Sequence, residues 1–248
     1  MNFSLLSFGF FSVKIYGFLL SVAFVWAAWK YYKSIQKRNF SVDFFVHHFW
    51  HWLLVGLLVG RLLTLLLDPG IVDRNGFFSL FTFWDGEVHF YGTMLGFLLM
   101  LWWDLRREKE DTNFLRWIDA GIEPLLLGIL VMDWAGFLTG SVYGNETALP
   151  WGVQYETFGV NILTPVHPVT IYAFLAHLWI YRWIKSHAHA FERTPGKLSL
   201  QFAVLYFFAD FLLHFFRGDE TTMLFEVVRV EQLLALLLAG FFFWRTRK

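Results

Sequence analysis

The chain has 248 residues and no cysteine; it is 57% hydrophobic, 21% aromatic and 16% charged, with 20 Lys and Arg against 20 Asp and Glu. Soluble domains carry about 25% charged residues, so this composition argues against an ordinary soluble protein, a disordered chain and a disulfide scaffold. A nucleic-acid binder would show a basic excess, and there is none.

Crossing a bilayer as a helix takes about 20 mostly apolar residues. Seven stretches qualify in chain order: 15–29, 44–67, 90–103, 121–139, 169–184, 198–216 and 230–244. The first and third are short as drawn and are expected to extend into their polar flanks. Continuous apolar runs, rather than alternating ones, disfavour a transmembrane β-barrel. Residues 2–13 lack Lys and Arg, so the first stretch reads as a retained span rather than a cleaved signal peptide.

The cations set the orientation. Lys30, Lys33, Lys37 and Arg38 follow the first stretch, Arg106, Arg107, Lys109 and Arg116 the third, and Arg182, Lys185, Arg193 and Lys197 the fifth; Arg245, Arg247 and Lys248 end the chain. Only Lys14, Arg61, Arg74, Arg217 and Arg229 lie elsewhere. By the positive-inside rule this is an all-α polytopic membrane protein, one integral membrane domain over 1–248, with about seven transmembrane helices, its N-terminus outside and its C-terminus cytoplasmic. No repeat, linker or low-complexity tract interrupts it. The outer loop between spans four and five, Ser141-Val142-Tyr143-Gly144-Asn145-Glu146-Thr147-Ala148-Leu149-Pro150-Trp151-Gly152, has no Lys or Arg.

Charged groups near a bilayer centre are costly and usually face a bundle interior or a wet cavity. Arg61 in span two either snorkels to the headgroups or serves such a cavity. Asp133 in span four is too short to snorkel far, which leaves a structural ion pair, a proton held by burial, or a functional role. Asp210 and His214 in span six are four apart and share a helix face; they can pair with each other as well as act on a ligand. A metal site is disfavoured, since two ligands at this spacing lack a third and fourth. His47, His48, His51 and His89 lie nearer span ends.

Glycines recur at intervals of four: Gly56 and Gly60, Gly92 and Gly96, and Gly136, Gly140 and Gly144. Such spacing lets helices approach closely, which is the expected role of the first two pairs. The third series runs into the outer loop, where backbone N–H groups can face a ligand. His167-Pro168 opens span five, either as a helix start or as a titratable group at the outer headgroup level. On these grounds the chain suits an intramembrane enzyme acting on lipid, a small transporter, or a structural membrane protein.

The motifs, taken in order, resemble the prolipoprotein diacylglyceryl transferase family. They are Ile15-Tyr16-Gly17, Gly60-Arg61, Trp84-Asp85-Gly86, Phe90-Tyr91-Gly92 with Gly96, then Gly136-Phe137-Leu138-Thr139-Gly140-Ser141-Val142-Tyr143-Gly144 and Leu149-Pro150-Trp151. His167-Pro168, Ile171-Tyr172, Tyr206, Phe215-Phe216-Arg217 and Glu231-Gln232 complete the set. The resemblance implies transfer of a diacylglyceryl group from phosphatidylglycerol to the lipobox cysteine of bacterial prolipoproteins. It also implies a multi-pass protein of the bacterial cytoplasmic membrane whose partners are phosphatidylglycerol or another membrane lipid and a prolipoprotein signal peptide, with no cofactor, metal or nucleic acid. The implied catalytic residues are His167, Tyr91 and Tyr206. The implied substrate-binding residues are Tyr16, Arg61, Gly92, Asp133, Gly136, Gly140, Gly144, Tyr172, Asp210, His214 and Arg217.

Departures from the family pattern fall on the chemistry. The family has a His-Gly step where this chain has Tyr91-Gly92. It has Arg, Asn, Arg and Glu where this chain has Asp133, Gly136, Asp210 and His214. The two family arginines are understood to hold the lipid phosphate, so Asp at both positions reverses the local charge. Protonation of the aspartates, neutralisation by Arg61, or phosphate binding by Arg217 and Arg229 would each restore the balance. The reaction needs a base for a thiol of pKa about 8.5 and charge stabilisation for a glycerophosphate leaving group. His167, His89 and His214 are candidates for the base, His167 first, because it sits in a matching motif at the outer boundary. The rivals are a family member with a changed substrate, a non-catalytic protein with a structural charge network, and a proton- or cation-coupled transporter. Asp133 and Asp210 are expected to share one cavity with Arg61.

Overall fold

The computed structural model describes residues 4–8, 11–67, 88–108, 113–140, 142–157, 160–191, 193–218, 223–224 and 228–246. Among these are seven α-helices: α1 (Ile15–Lys37), α2 (Val42–Leu67), α3 (Phe90–Arg107), α4 (Phe114–Thr139), α5 (Val169–Phe191), α6 (Lys197–Leu213) and α7 (Val230–Thr246). Three short antiparallel strand pairs accompany them: β1 (Ser4–Phe8) with β2 (Phe11–Lys14) before α1, β3 (Val153–Thr157) with β4 (Val160–Val166) between α4 and α5, and β5 (Met223–Leu224) with β6 (Val228–Arg229) between α6 and α7. Each expected apolar stretch falls on one helix. The first and third do extend into their flanks, to Lys37 and Arg107. The sixth ends earlier than expected: α6 stops at Leu213, three residues short of 216, where the chain turns through His214.

α2 and α4 are long and apolar enough to cross a membrane, with mean hydropathies of 1.8 and 1.6. α2 shows how such a helix divides its surface. Leu54, Leu58, Leu62 and Leu66, spaced by four, are exposed, while Trp52, Gly56, Gly60, Arg61 and Leu65 are buried. An exposed leucine stripe on a helix that is apolar all round suits a hydrocarbon surrounding, not water.

The fold divides into two compact units, Tyr32–Ile118 and Met1–Tyr31 with Asp119–Lys248. In the first, α2 packs on α3 through glycines. A Cβ on Gly96 would stand 2.8 Å from the Val55 carbonyl oxygen and 2.9 Å from the Gly56 Cα; one on Gly92 would stand 2.9 Å from the Gly60 Cα. Only glycine permits that approach. Below the crossing, Phe44, Trp52, Phe97 and Trp117 pack ring against ring. The fully buried Trp52 donates its indole N–H to Asp104 at 2.9 Å. Without that acceptor the N–H would cost about 1–3 kcal/mol.

In the second unit α1 meets α4 at two glycines, Ala27 against Gly128 and the Tyr31 ring against Gly121. α5 packs on α6 and α6 on α7, the latter contact including Phe207 stacked on Phe242 at 5.8 Å. Gly140 ends α4 in the left-handed region, φ 65°, where a Cβ would be strained. Gly196, φ 84°, precedes α6. Asp119 of α4 caps that helix: its carboxylate accepts the Gly196 and Ser199 N–H groups at 2.7 and 2.8 Å.

Candidate active site

The polar residues of the second unit gather along α4, α5 and α6. On α5, Phe174, His177 and Tyr181 follow at intervals of three and four and so share a face. Each meets α4: Phe174 packs on Trp134 at 5.4 Å, His177 bonds Asp133, and Tyr181 donates to Glu123 at 3.3 Å. The central bridge is short, 2.8 Å from His177 Nδ1 to Asp133 Oδ2, and both side chains are largely buried. The other face of the imidazole lies flat on Tyr206 of α6, ring centroids 5.2 Å apart and planes 13° from parallel. Among the described residues its buried Nε2 meets no hydrogen-bond partner. Tyr206 lies within electrostatic reach of both Asp133 and Asp210. The two aspartates thus share Tyr206 as a neighbour.

A second cluster forms where α6 ends and α7 begins. His214 is buried; its Nδ1 donates to the Asp210 carbonyl oxygen at 2.7 Å and stands 3.7 Å from the Asp210 carboxylate. Its Nε2 faces the Arg217 guanidinium at 3.4 Å and Glu231 at 3.7 Å. Arg229, also buried, donates to the Arg217 carbonyl oxygen at 2.7 Å. The i, i+4 pairing of Asp210 and His214 is therefore present, but extended by two arginines and a glutamate.

The loop after α4 is stitched between two segments. Gly144 N–H donates to the His167 carbonyl oxygen, His167 N–H to that of Asn145, Asn145 N–H to that of Phe216, and Gly218 N–H to that of Tyr143, all within 2.8–3.0 Å. The Gly144 amide, expected to face a ligand, is committed to this ladder instead. Its missing side chain has a packing reason: a Cβ there would stand 2.5 Å from the His167 Cβ and 2.8 Å from the Phe216 carbonyl oxygen. His167 Nδ1 is 3.1 Å from the Tyr172 hydroxyl, which also accepts the Trp151 indole N–H at 2.8 Å. Gly136 is buried within α4 beneath Gly140.

The remaining expected residues lie in the other unit or outside the described set. Arg61 is 1% exposed, which rules out snorkelling toward its surroundings. Gly92 serves the α2–α3 contact, and Tyr91 is half-buried beside His89, ring centroids 5.5 Å apart. The Tyr16 side chain and the Trp84-Asp85-Gly86 motif lie outside the described residues. Among the described residues no group of three or more His, Asp or Glu is placed to hold a metal ion.

His177 is the residue that sequence reasoning missed. It sits alone in the apolar run Ala173-Phe174-Leu175-Ala176-His177-Leu178-Trp179. The available signal was the same one that singled out Asp133, a titratable group inside an apolar span.

Comparison with known proteins adds lineage to this geometry. The family model for prolipoprotein diacylglyceryl transferase matches residues 4–245. Curated relatives named phosphatidylglycerol–prolipoprotein diacylglyceryl transferase include that of Zymomonas mobilis, 28% identical over 69% of this chain and 60% of the relative. That of Wolbachia pipientis is 27% identical over 84% and 80%, and that of Coxiella burnetii 27% over 92% and 87%. The match to the Zymomonas protein thus spans less than two thirds of that protein's length.

Proposed function

The chain belongs to the prolipoprotein diacylglyceryl transferase family, and from that membership we propose that it moves the diacylglyceryl group of phosphatidylglycerol to the lipobox cysteine of prolipoproteins. It would do so as a single seven-span domain of a bacterial cytoplasmic membrane, N-terminus outside. The observation that carries this reading is a family match running through every described helix.

The chemistry is a displacement. The cysteine sulfur attacks the diacylglycerol carbon, a C–S bond forms, the C–O bond to phosphate breaks, and glycerophosphate leaves. Two needs follow, a base for the thiol and positive charge for the leaving group. Asp133 and Asp210 replace the cations of the family pattern, but each has a histidine beside it, His177 and His214. Arg217 and Arg229, joined at the end of α6, are the groups we assign to the phosphate, because guanidinium forks suit phosphate oxygens. His167, Tyr172 and Trp151 would hold the mouth of the site in shape. The leucine stripe of α2 supports placement in lipid.

The test is direct. Purified protein in liposomes containing phosphatidylglycerol, given a lipobox peptide, should add one diacylglyceryl mass to the peptide cysteine. No added mass, under conditions where the Coxiella relative yields product, would defeat the reading.

A further inference from the structure

We propose that His177 is the general base that takes the thiol proton and that Asp133 is its positioning residue. The assignment rests on the transferase reading. It makes the Asp-for-Arg departure at position 133 a working part of this chain.

The geometry is that of a carboxylate–imidazole pair. Asp133 holds Nδ1 at 2.8 Å. A carboxylate there accepts the Nδ1 proton, fixes the tautomer that leaves Nε2 as a bare lone pair, and stabilises the imidazolium that forms on proton uptake. Tyr206 stacked on the ring restrains its plane. A buried imidazole nitrogen with no partner is costly in a scaffold, and a base facing a substrate is a reason to retain it.

Two of the other candidate histidines are less suited. His167 Nδ1 is held by a phenol, which does not offset a forming positive charge. His214 is engaged at both ring nitrogens, Nδ1 by the Asp210 carbonyl oxygen and Nε2 by Arg217 and Glu231, which leaves no open nitrogen for a substrate proton. Among the described residues, the charged and titratable groups placed near His177 are Asp133 from α4, Tyr206 from α6, which also feels Asp210, and Tyr181 one turn along α5 with its partner Glu123; no cation is among them.

His177 lies about two turns below the start of α5, and Asp133 a similar depth below the end of α4. In the reaction, Nε2 takes the S–H proton, the thiolate forms the C–S bond as the C–O bond breaks, and the imidazolium returns its proton to the departing glycerophosphate. Atoms and charge balance without a cofactor.

The experiment is a pH series of the transfer assay with wild type, His177→Gln and Asp133→Asn, using thiol and selenocysteine lipobox peptides. At pH 7 His177→Gln should lose about 100- to 10,000-fold with the thiol peptide. The gap should narrow to under about tenfold above the thiol pKa of about 8.5, where the substrate ionises unaided. Asp133→Asn, whose amide favours the wrong tautomer, should behave in the same direction. With the selenol peptide, already ionised at neutral pH, both variants should approach wild type. A loss that is equal at every pH and for both nucleophiles marks a scaffold role and overturns the assignment, as does wild-type activity in His177→Gln. If the variants do not fold, the wild type decides: an acid limb that persists with the selenol peptide overturns it. No product from wild type with either peptide defeats the transferase reading itself, and the base assignment falls with it.

Discussion

His48 in α2 and His177 in α5 are both buried histidines beside a carboxylate, yet their surroundings differ in one respect. His48 has an acceptor at each ring nitrogen, the Phe44 carbonyl oxygen at 3.0 Å and Glu108 at 3.0 Å. It stacks among Phe44 and Trp52, whose indole is in turn held by Asp104. His177 has an acceptor at one nitrogen and, among the described residues, no hydrogen-bond partner at the other. The first network is closed and explains itself as structure. The second is open by one atom, and an open buried network calls for a partner that arrives from outside. Residue type and burial do not separate the two; the hydrogen-bond ledger does.

The largest predicted effect tests that contrast. His48→Gln should retain transfer activity within about threefold while His177→Gln loses about 100-fold or more at pH 7. Equal losses in the two variants would erase the distinction between closed and open networks. Thermal melting of both in detergent separates activity from stability, and there the order should reverse, with His48→Gln the less stable.

The two units also differ in how their helices use glycine. Gly96→Ala places a Cβ 2.8–2.9 Å from backbone atoms of α2, so the helices must part, at a cost of about 1–3 kcal/mol. Gly128→Ala places one 3.6 Å from the Ala27 Cβ, an ordinary contact. Relief of the glycine penalty in a helix should then stabilise by up to about 1 kcal/mol. Opposite signs in chemical unfolding curves are the expected outcome, and a destabilised Gly128→Ala would show that the α1–α4 contact is as tight as the α2–α3 one.

A smaller effect is expected at Asp119, which is buried and caps α6 from α4. Asp119→Ala removes both acceptors and should cost about 1–2 kcal/mol. Asp119→Asn keeps a carbonyl acceptor and should recover part of it. Hydrogen exchange at Gly196 and Ser199 reports the same loss locally.

Helix positions were legible in the sequence because apolar run length is a strong local signal. The starts of α1, α3, α5 and α7 fall on the residues where the apolar runs begin, Ile15, Phe90, Val169 and Val230. The hairpins were not legible. β5 and β6 have two residues each, too few for a period, and β3–β4 is set by contacts of Thr147 and Glu146 with Pro165 and Val166 that no local pattern records. Site reading divided in the same way. Asp210 with His214 was legible as a pair four apart on one helix. Asp133 with His177 was not, since its partners stand 44 residues apart and only the packing of α5 beside α4 brings them together. For Gly144 the sequence leaves close packing and a ligand-facing amide both open, because a glycine that lets two backbones touch and one that offers an amide to a ligand look alike in sequence; the structure shows the packing.

The smallest predicted effect concerns Tyr155 in β3, a second open polar site, and shows where the hydrogen-bond ledger needs chemistry beside it. Its hydroxyl and that of Thr170 are buried near each other, neither with a well-formed hydrogen bond. A phenol is a far weaker base than an imidazole, so this opening is a packing compromise and not a site. Tyr155→Phe removes the poorly satisfied hydroxyl and should leave stability unchanged or raise it by less than about 1 kcal/mol. The pH dependence gives the sign. Burial pushes the Tyr155 phenol above its usual value of 10.0, partly opposed by Thr170. The fold therefore holds the phenolic proton more tightly than the unfolded chain does. That contribution is complete below about pH 10 and is lost as pH rises through the folded value. Tyr155→Phe should flatten this alkaline decline in melting temperature while leaving transfer activity at neutral pH as in wild type; a large activity loss would place Tyr155 with His177 as functional chemistry.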